Sequence, residues 1–181
     1  MNLYFRFFLT VVLAFFRPRL GPLEESVVRF RVWPNDLDLN AHMNNGRYLT
    51  LMDLGRMDLT VRMGLFGPSL KNKWRPAVAS QTILFRRSLK PFQKYELRSR
   101  IVGWDAKWIY LEQIFWTGEK PAARALVKAL ILGPDGAIPT SVLFAELSLP
   151  GSGVAAAVSP PMPADVSAWV KADELLKLST P

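Results

Sequence analysis

The stretch at residues 45–63 has apolar side chains around most of a helical circumference, and no other feature of the chain constrains the fold as much. A helix that is apolar on most sides has to be enclosed by other elements. Asp58 and Arg62 lie four residues apart within it, which is the spacing of an ion pair on a helix. The residues expected to end this helix are Gly64, Gly67 and Pro68. The remaining chain must therefore supply a cover for one long helix.

One strand is predicted before this helix and four are predicted after it. Residues 26–33 alternate between apolar and basic side chains, as a half-buried strand does, and Pro34 ends the pattern. The four later strands are predicted at residues 78–89, 94–104, 107–117 and 122–132. The last of these also suits a helix, but Pro121 and the turn at residues 133–136 bracket a short run and favour a strand. An α+β fold follows, in which an antiparallel sheet wraps a central long helix.

The chain divides into three parts by composition. Residues 1–20 form an apolar N-terminal segment, residues 21–149 contain the strands and the enclosed helix, and residues 150–181 form a linker and a C-terminal helix. A short helix is predicted at residues 139–147 and the final one at residues 165–178. The apolar stripe of the final helix is predicted to be Val166, Trp169, Val170 and Leu176. A single main domain of ordinary size is therefore expected.

The N-terminal segment is apolar over residues 3–16 except at Arg6 and Thr10. It is too short to span a bilayer, which takes about 20 residues. Its flanking charge follows the apolar run, whereas a signal peptide carries the charge before it. Two alternatives stay open, namely a helix lying in a membrane surface and a helix packed on the body of the protein. We expect a cytoplasmic protein with peripheral membrane contact through this segment.

The charge and the residue inventory restrict the partners and the chemistry. A formal charge of +8 indicates an anionic partner, and the basic residues are spread along the chain, which disfavours nucleic acid. The absence of cysteine excludes thiol nucleophiles and thiolate metal sites. His42 is the only histidine, so a site of several imidazoles within one chain is excluded. Chemistry must rest on carboxylates, amides, hydroxyls and backbone groups, and no metal or cofactor is expected.

The segment that joins the first strand to the long helix, residues 35–48, reads NDLDLNAHMNNGRY. Each polar residue in it has an ordinary explanation, because aspartate and asparagine cap turns and helices. Taken together, however, they lie where the free N–H groups of a helix start can stabilise an oxyanion. A carboxylate a few residues upstream can act as a general base or attack a carbonyl carbon directly. These two parts suffice for thioester hydrolysis.

The pattern Asp-x-Asp-x-x-x-His-Met-Asn-Asn-x-x-Tyr resembles the signature of the 4-hydroxybenzoyl-CoA thioesterase-like hotdog proteins. The resemblance covers residues 25–148, and the longer stretch around the motif is most similar to the thioesterase-superfamily-member-6-like branch. It implies a hotdog fold, an acyl-CoA substrate, and a homodimer or dimer of dimers with active sites at the dimer interface. The site residues that it implies are Asp38 as the catalytic carboxylate, Asn45 as the backbone oxyanion donor, and His42, Asn44 and Tyr48 as residues that shape the loop and the substrate pocket.

One position departs from this signature. Ala41 stands where the family usually has glycine, so a positive φ at this position would strain the chain. The phosphates of coenzyme A, which is part of the substrate and not a cofactor, are expected to contact Arg86, Arg87 and Lys90.

Two alternatives to a thioesterase remain at this point. A non-catalytic hotdog protein at a membrane, binding acyl-CoA or a protein partner, would explain the apolar N-terminal run together with Ala41. An enoyl-CoA hydratase would use an aspartate and a histidine, for which Asp36 and His42 are the candidates.

Overall fold

An antiparallel sheet curls around one long helix in the computed structural model, which describes residues 3–147 and 158–179. The helices in these ranges are α1 (Leu3–Phe15), α2 (Asn45–Arg62), α3 (Phe66–Lys71), α4 (Thr140–Leu147) and α5 (Ala164–Ser179). The strands are β1 (Ser26–Arg31), β2 (Arg75–Phe85), β3 (Lys94–Trp104), β4 (Ile109–Thr117), β5 (Lys120–Gly133) and β6 (Gly136–Ile138). The predicted α+β class is confirmed.

The strand order is β1-β3-β4-β5-β2, and the short strand β6 pairs with β5. Every neighbouring pair is antiparallel. Strands β3, β4 and β5 form the middle of the sheet, while β1 and β2 each have a single strand neighbour among the described residues. The two edge strands of the sheet are therefore β1 and β2.

Helix α2 packs closely on the inner face of the sheet because Gly55 lets the two backbones approach. A Cβ atom on Gly55 would lie 2.6 Å from Ser99 Oγ and 2.8 Å from a methyl carbon of Leu97. Beside it, the buried Gln113 donates hydrogen bonds to the Met52 carbonyl (3.0 Å) and to Ser99 Oγ (2.8 Å). This polar link and the surrounding apolar core fix α2 against β3 and β4.

Several sequence predictions need correction at their boundaries. Gly67 and Pro68 lie beyond the end of the long helix, in the first turn of α3. Backbone N–H groups in the first turn of a helix have no acceptor within the helix, so proline, which has no N–H group, loses no hydrogen bond there. The turn between the two helices is made by Gly64, whose φ is 86°. The strand predicted at residues 78–89 is β2, which starts earlier and stops at Phe85, because the next two N–H groups both donate to the Ala122 carbonyl. Strand β6 was not predicted because three residues carry no periodic signal.

The segment at residues 122–132 lies within strand β5, as predicted, and the alternative of a helix there is wrong. The first predicted strand ends at Arg31, two residues earlier than expected. The short helix predicted at residues 139–147 is α4. Most of the predicted linker lies outside the described residues, and residues 158–163 contain no helix or strand.

The C-terminal helix α5 covers the outer face of the sheet, where Val166 is fully buried against β3, β4 and β5. Its Asp173 accepts a hydrogen bond from the buried Lys128 of β5 at 3.0 Å. Leu176, predicted to complete the apolar stripe, is instead 67 % exposed. The inward position one turn before Leu176 is occupied by Asp173 and its ion pair with Lys128.

The N-terminal helix α1 packs beside α2, as one of the two alternatives predicted. Its inward residues are Arg6, Thr10 and Ala14, while its outward side is strongly apolar. The most exposed of the outward residues are Tyr4, Phe5, Phe8 and Phe15. No helix within the described ranges has the length and apolar character needed to cross a bilayer.

Candidate active site

The motif loop folds into a tight hairpin before helix α2. A single 3-10 turn at Pro34–Asp36 is followed by a β-bridge between Leu37 and Met43. At the tip, the Asp38 N–H donates to the His42 carbonyl at 2.8 Å. Ala41 lies in this tip with a φ of 56°, the left-handed conformation that glycine adopts without strain. Alanine at this signature position therefore adopts a strained backbone conformation, as the departure from glycine led us to expect.

The Asp38 carboxylate is half-buried and held in place by the loop itself. Its Oδ1 atom accepts hydrogen bonds from the backbone N–H groups of Asn40 (2.9 Å) and His42 (3.3 Å). Its Oδ2 atom has no hydrogen-bond partner within the described part of the chain. One oxygen therefore orients the carboxylate while the other stays available to accept a proton or to attack an electrophile.

The start of helix α2 presents a free backbone donor close to this hairpin. The Asn44 side chain caps the helix by accepting a hydrogen bond from the Gly46 N–H at 2.8 Å. The preceding N–H, that of Asn45 at the first position of the helix, has no acceptor among the residues that the structure describes, and Asn45 is exposed. A helix N-terminus carries partial positive charge, so this N–H group suits an oxyanion.

Asp36, the other carboxylate of the motif, is buried and serves the structure. It is 1 % exposed, and its Oδ2 accepts from Arg6 Nη2 at 2.6 Å and from the Trp33 N–H at 2.9 Å. Arg47 Nε lies 3.3 Å from its Oδ1. Among the described residues no hydrogen bond or ion pair joins Asp36 to His42, and Asp36 is instead engaged by Arg6 and the Trp33 N–H, which gives no support to the hydratase alternative. Sequence reasoning missed the role of Arg6, although a lone arginine in an apolar run was a signal that it has a buried partner.

Tyr48, predicted to shape the loop and the substrate pocket, lies in the core. Its ring packs edge-on against Phe85 and Phe115, with centroid separations of 5.1 and 4.8 Å. Burial raises the pKa of Tyr48, and a hydrogen bond with the backbone of Leu89 opposes this rise. Tyr48 is therefore a neutral side chain that packs in the core.

The two arginines predicted to bind phosphate follow strand β2 and are exposed. The backbone N–H groups of Arg86 and Arg87 both donate to the Ala122 carbonyl, at 2.8 and 3.0 Å. A hydrogen bond from the Met43 N–H to the Leu89 carbonyl, 2.9 Å long, holds this segment beside the motif hairpin. The structure thus brings the motif and the two arginines to the same region of the molecule. Within the described ranges, no three carboxylate or imidazole groups converge as a metal site requires.

The chain belongs to the thioesterase-like superfamily, whose family model matches residues 32–170. Among curated proteins it is 44 % identical over 102 residues to Protein THEM6 of Danio rerio, covering 56 % of this chain and 50 % of that protein. It is 34 % identical over 114 residues to Protein THEM6 of Xenopus laevis, covering 60 % and 55 %. The chain therefore spans about half the length of these relatives.

Solved structures agree on the hotdog fold. The crystal structure of the probable thioesterase YbaW from Escherichia coli matches with a TM-score of 0.63 at 20 % identity, covering 67 % of this chain and 95 % of that one. A 4-hydroxybenzoyl-CoA thioesterase mutant complexed with 4-hydroxybenzoyl-CoA matches with a TM-score of 0.62 at 14 % identity, covering 68 % and 97 %. Helix α1 and the first strand precede the region that the family model matches.

Proposed function

We propose that this protein is an acyl-CoA thioesterase that hydrolyses a thioester to a free acid and coenzyme A. The observation that carries the proposal is the pairing of an oriented carboxylate with a free helix N–H. Asp38, in the hairpin, supplies the carboxylate, and Asn45, the first residue of helix α2, supplies the N–H group. Membership of the thioesterase-like superfamily supports the same reaction class.

In the proposed reaction, Asp38 Oδ2 takes a proton from water as the water oxygen bonds to the thioester carbon, or attacks that carbon itself to form an anhydride that water then opens. In both routes the carbonyl oxygen becomes an oxyanion, which the Asn45 N–H binds. The carbon–sulfur bond then breaks, and the coenzyme A thiolate leaves and takes up a proton. A general base contributes about 10² to 10⁴ in rate and one oxyanion donor about 10² to 10³. The route needs water and no cofactor.

The charges around the site support a coenzyme A substrate. Arg86 and Arg87 are exposed cations on the segment that the Met43 and Leu89 hydrogen bond holds beside the hairpin. Guanidinium groups bind phosphate oxygens in pairs, so we assign the phosphate groups of coenzyme A to these two residues. His42 and Asn44 remain candidates for contacts to the thioester end.

The decisive experiment measures thiol release from short, long and aromatic acyl-CoAs by the wild type and by Asp38→Asn. Asparagine keeps an Oδ1 acceptor for the Asn40 and His42 N–H groups, so the variant should fold normally while its turnover falls at least a hundredfold. Asp135→Asn, in an exposed turn, is the matched control and should keep full activity. Equal rates for the wild type and Asp38→Asn would remove Asp38 from the mechanism.

We propose a homodimer formed through the open edge of β2. This strand pairs with β5 on one side only, and most of its eleven residues are exposed, including Val78, Leu84 and Phe85. A long, apolar, unpaired edge is a template for another strand. Sedimentation equilibrium should give a dimer for the wild type and a weaker dimer for Val78→Lys with Leu84→Lys. A monomeric wild type would contradict the proposal.

We also propose that the outward face of α1 contacts a membrane surface. The observation that supports this proposal is the orientation of α1, which buries Arg6 and Thr10 against the protein and exposes its aromatic side chains. Arg19, which follows the helix and is exposed, suits anionic headgroups. Phe5→Asp with Phe8→Asp should abolish sedimentation with phosphatidylserine vesicles, while Leu175→Asp with Leu178→Asp on α5 should not. A non-catalytic membrane protein, the alternative function, would bind these vesicles and hydrolyse none of the acyl-CoAs above.

A further inference from the structure

One end of the sheet carries the candidate active site, and five strands begin or stop there. Strand β1 ends at Arg31, opposite Lys94, the first residue of β3. Strand β4 ends and β5 begins at the same end of the sheet, and β2 stops there too. The segments at this end, residues 31–44, 86–94 and 117–120, form a surface that we call the site end. It includes the motif hairpin and its carboxylate.

The site end is strongly basic. It carries six exposed cations, which are Arg31, Arg86, Arg87, Lys90, Lys94 and Lys120. None of the six lies within ion-pair distance of a carboxylate in the described part of the chain, and the only exposed carboxylate among the described residues of the site end is Glu119. At the opposite end of the sheet, exposed cations alternate with the exposed carboxylates Glu24, Glu25 and Asp105. Positive charge is therefore concentrated around the candidate active site, and its complement is an anionic surface.

Two large apolar side chains are exposed among these cations. Leu39, at the tip of the motif hairpin, is fully exposed, and Phe92, in the turn between β2 and β3, is more than half exposed. The Phe92 N–H donates to the Val32 carbonyl, just before the hairpin, at 3.0 Å. The Met43 N–H, at the end of the hairpin, donates to the Leu89 carbonyl at 2.9 Å. These two hydrogen bonds hold the hairpin and the turn side by side, so the two apolar side chains belong to one surface.

Phe92 is held in a backbone conformation that phenylalanine avoids. Its φ is 60°, in the left-handed region, which is unfavourable for a residue with a Cβ atom. Its ring makes an edge contact with Trp33, with the centroids 6.4 Å apart, and most of its surface stays exposed. The turn itself is fixed by backbone groups and by the Gln93 side chain, which accepts from the Lys90 N–H at 2.9 Å. Strain and exposure at one aromatic residue indicate a role outside folding.

The N-terminal end of helix α1 lies next to the site end, because Arg6 pairs with Asp36 there. Tyr4 and Phe5 of this helix are exposed, so the site end is continuous with the apolar face of α1. An anionic bilayer accepts both kinds of group, since apolar side chains enter between the headgroups and cations contact the headgroups themselves. A nucleic acid would match the cations but not a fully exposed aliphatic side chain such as Leu39.

We propose that the site end docks on an anionic phospholipid bilayer and that the active site takes long-chain acyl-CoA from that surface. Leu39 and Phe92 enter between the headgroups. Arg31, Lys94 and Lys120, which have no assigned contact with coenzyme A, bind the anionic headgroups. Every methylene of an acyl chain that enters the bilayer stabilises its binding, so long-chain acyl-CoA is concentrated at the surface. The uptake of substrate rests on the proposed thioesterase function, whereas the docking does not.

Sedimentation with vesicles of equal parts phosphatidylcholine and phosphatidylserine tests the docking. Leu39→Asn with Phe92→Asn should weaken binding about tenfold or more, because two apolar side chains leave the contact. Asparagine adopts the left-handed conformation readily, so the urea midpoint of unfolding should not fall. The matched control is Leu23→Asn with Leu70→Asn, which removes two exposed leucines before β1 and on α3, at the opposite end, and should bind as the wild type does. Unchanged binding of the first variant would overturn the docking.

A second variant tests the charge. Arg31→Gln with Lys94→Gln removes two exposed cations that are opposite each other on the sheet and have no carboxylate partner in the described structure, so stability should not fall. Binding to the same vesicles should weaken about tenfold or more. Lys71→Gln with Lys171→Gln, at exposed sites on α3 and α5, is the matched control and should bind normally. Equal binding of the two variants would overturn the headgroup contact.

Turnover separates this inference from the thioesterase proposal. On a short-chain acyl-CoA free in solution, the Leu39 and Phe92 variant should keep the wild-type rate. On palmitoyl-CoA carried in the same vesicles, its rate should fall about tenfold or more, in step with its binding. An equal loss on both substrates would refute uptake from the bilayer. Weakened vesicle binding by this variant, in a protein that hydrolyses neither substrate, would support the docking and contradict the thioesterase proposal.

Discussion

Arg6 of helix α1 and Asp36 of the motif loop form a buried ion pair with an N–O distance of 2.6 Å. The pair joins a helix that precedes the family-matched region to the loop that carries the candidate catalytic carboxylate. Asp36 in turn fixes this loop, because its backbone carbonyl accepts from the Asn44 N–H at 2.8 Å and its side chain accepts from the Trp33 N–H. The N-terminal helix is therefore part of the folded core and not an appended segment.

We expect Arg6→Met to destabilise the protein by about 3 to 5 kcal/mol, because it leaves the buried Asp36 charge with only Arg47 beside it. The measurement is urea unfolding followed by tryptophan fluorescence. Arg29→Met is the matched control, since it breaks an exposed pair with Glu96 and should cost less than about 1 kcal/mol. Equal costs for the two variants would show that the buried pair contributes nothing special.

Ala41→Gly should stabilise the hairpin. The φ of 56° at Ala41 costs an alanine about 1 kcal/mol, which glycine does not incur, although glycine gives back part of this gain through its greater freedom in the unfolded chain. We expect the free energy of unfolding to rise by roughly 0.5 kcal/mol. Thermal unfolding checks the sign, and turnover of the best acyl-CoA in the same variant should be equal or higher. A lower melting temperature would contradict the backbone strain.

Gly55→Ala should destabilise the protein, although replacing glycine by alanine inside a helix usually stabilises it. Alanine normally stabilises a helix interior by about 1 kcal/mol over glycine. Here its Cβ would lie 2.6 Å from Ser99 Oγ, so we expect a loss of about 1 to 3 kcal/mol. Gly67→Ala in α3 has open space around the new methyl group and should be neutral or stabilising. A stabilising Gly55→Ala would mean that α2 sits further from the sheet.

The attachment of α5 should depend on pH through Asp173. A hydrogen bond from Ser80 and the nearby Lys128 hold the pKa of Asp173 below its ordinary value, although burial opposes them. A carboxyl group whose pKa is lower in the folded state stabilises the fold above its unfolded pKa of about 3.9, and the gain is lost as the pH falls through the folded value.

We therefore expect Asp173→Asn to cost about 3 kcal/mol at neutral pH, because Lys128 stays buried without its partner. The difference from the wild type should shrink as urea unfolding is repeated at progressively lower pH below about 4. Asp135→Asn, which breaks no ion pair, should show no such difference at any pH. A cost that is independent of pH would assign the effect of Asp173 to packing instead of charge.

Much of the fold could be predicted from local pattern. The strand predicted at residues 94–104 matches β3 residue for residue, and the enclosed helix begins at Asn45 as predicted. The motif gave the residues of the candidate site because they are consecutive in the chain. The core position of Tyr48 could not be predicted from the motif, because a motif records that a residue is needed and not whether it faces the substrate or the core.

The chain by itself determined the element order, the enclosed helix and the chemistry available in the hairpin, because these depend on periodicity and on residues close in sequence. Only the tertiary structure decided which way α1 faces, because Arg6 finds Asp36 thirty residues away and thereby turns the aromatic side outward. Contacts of this kind depend on how the elements pack, and no local pattern records them.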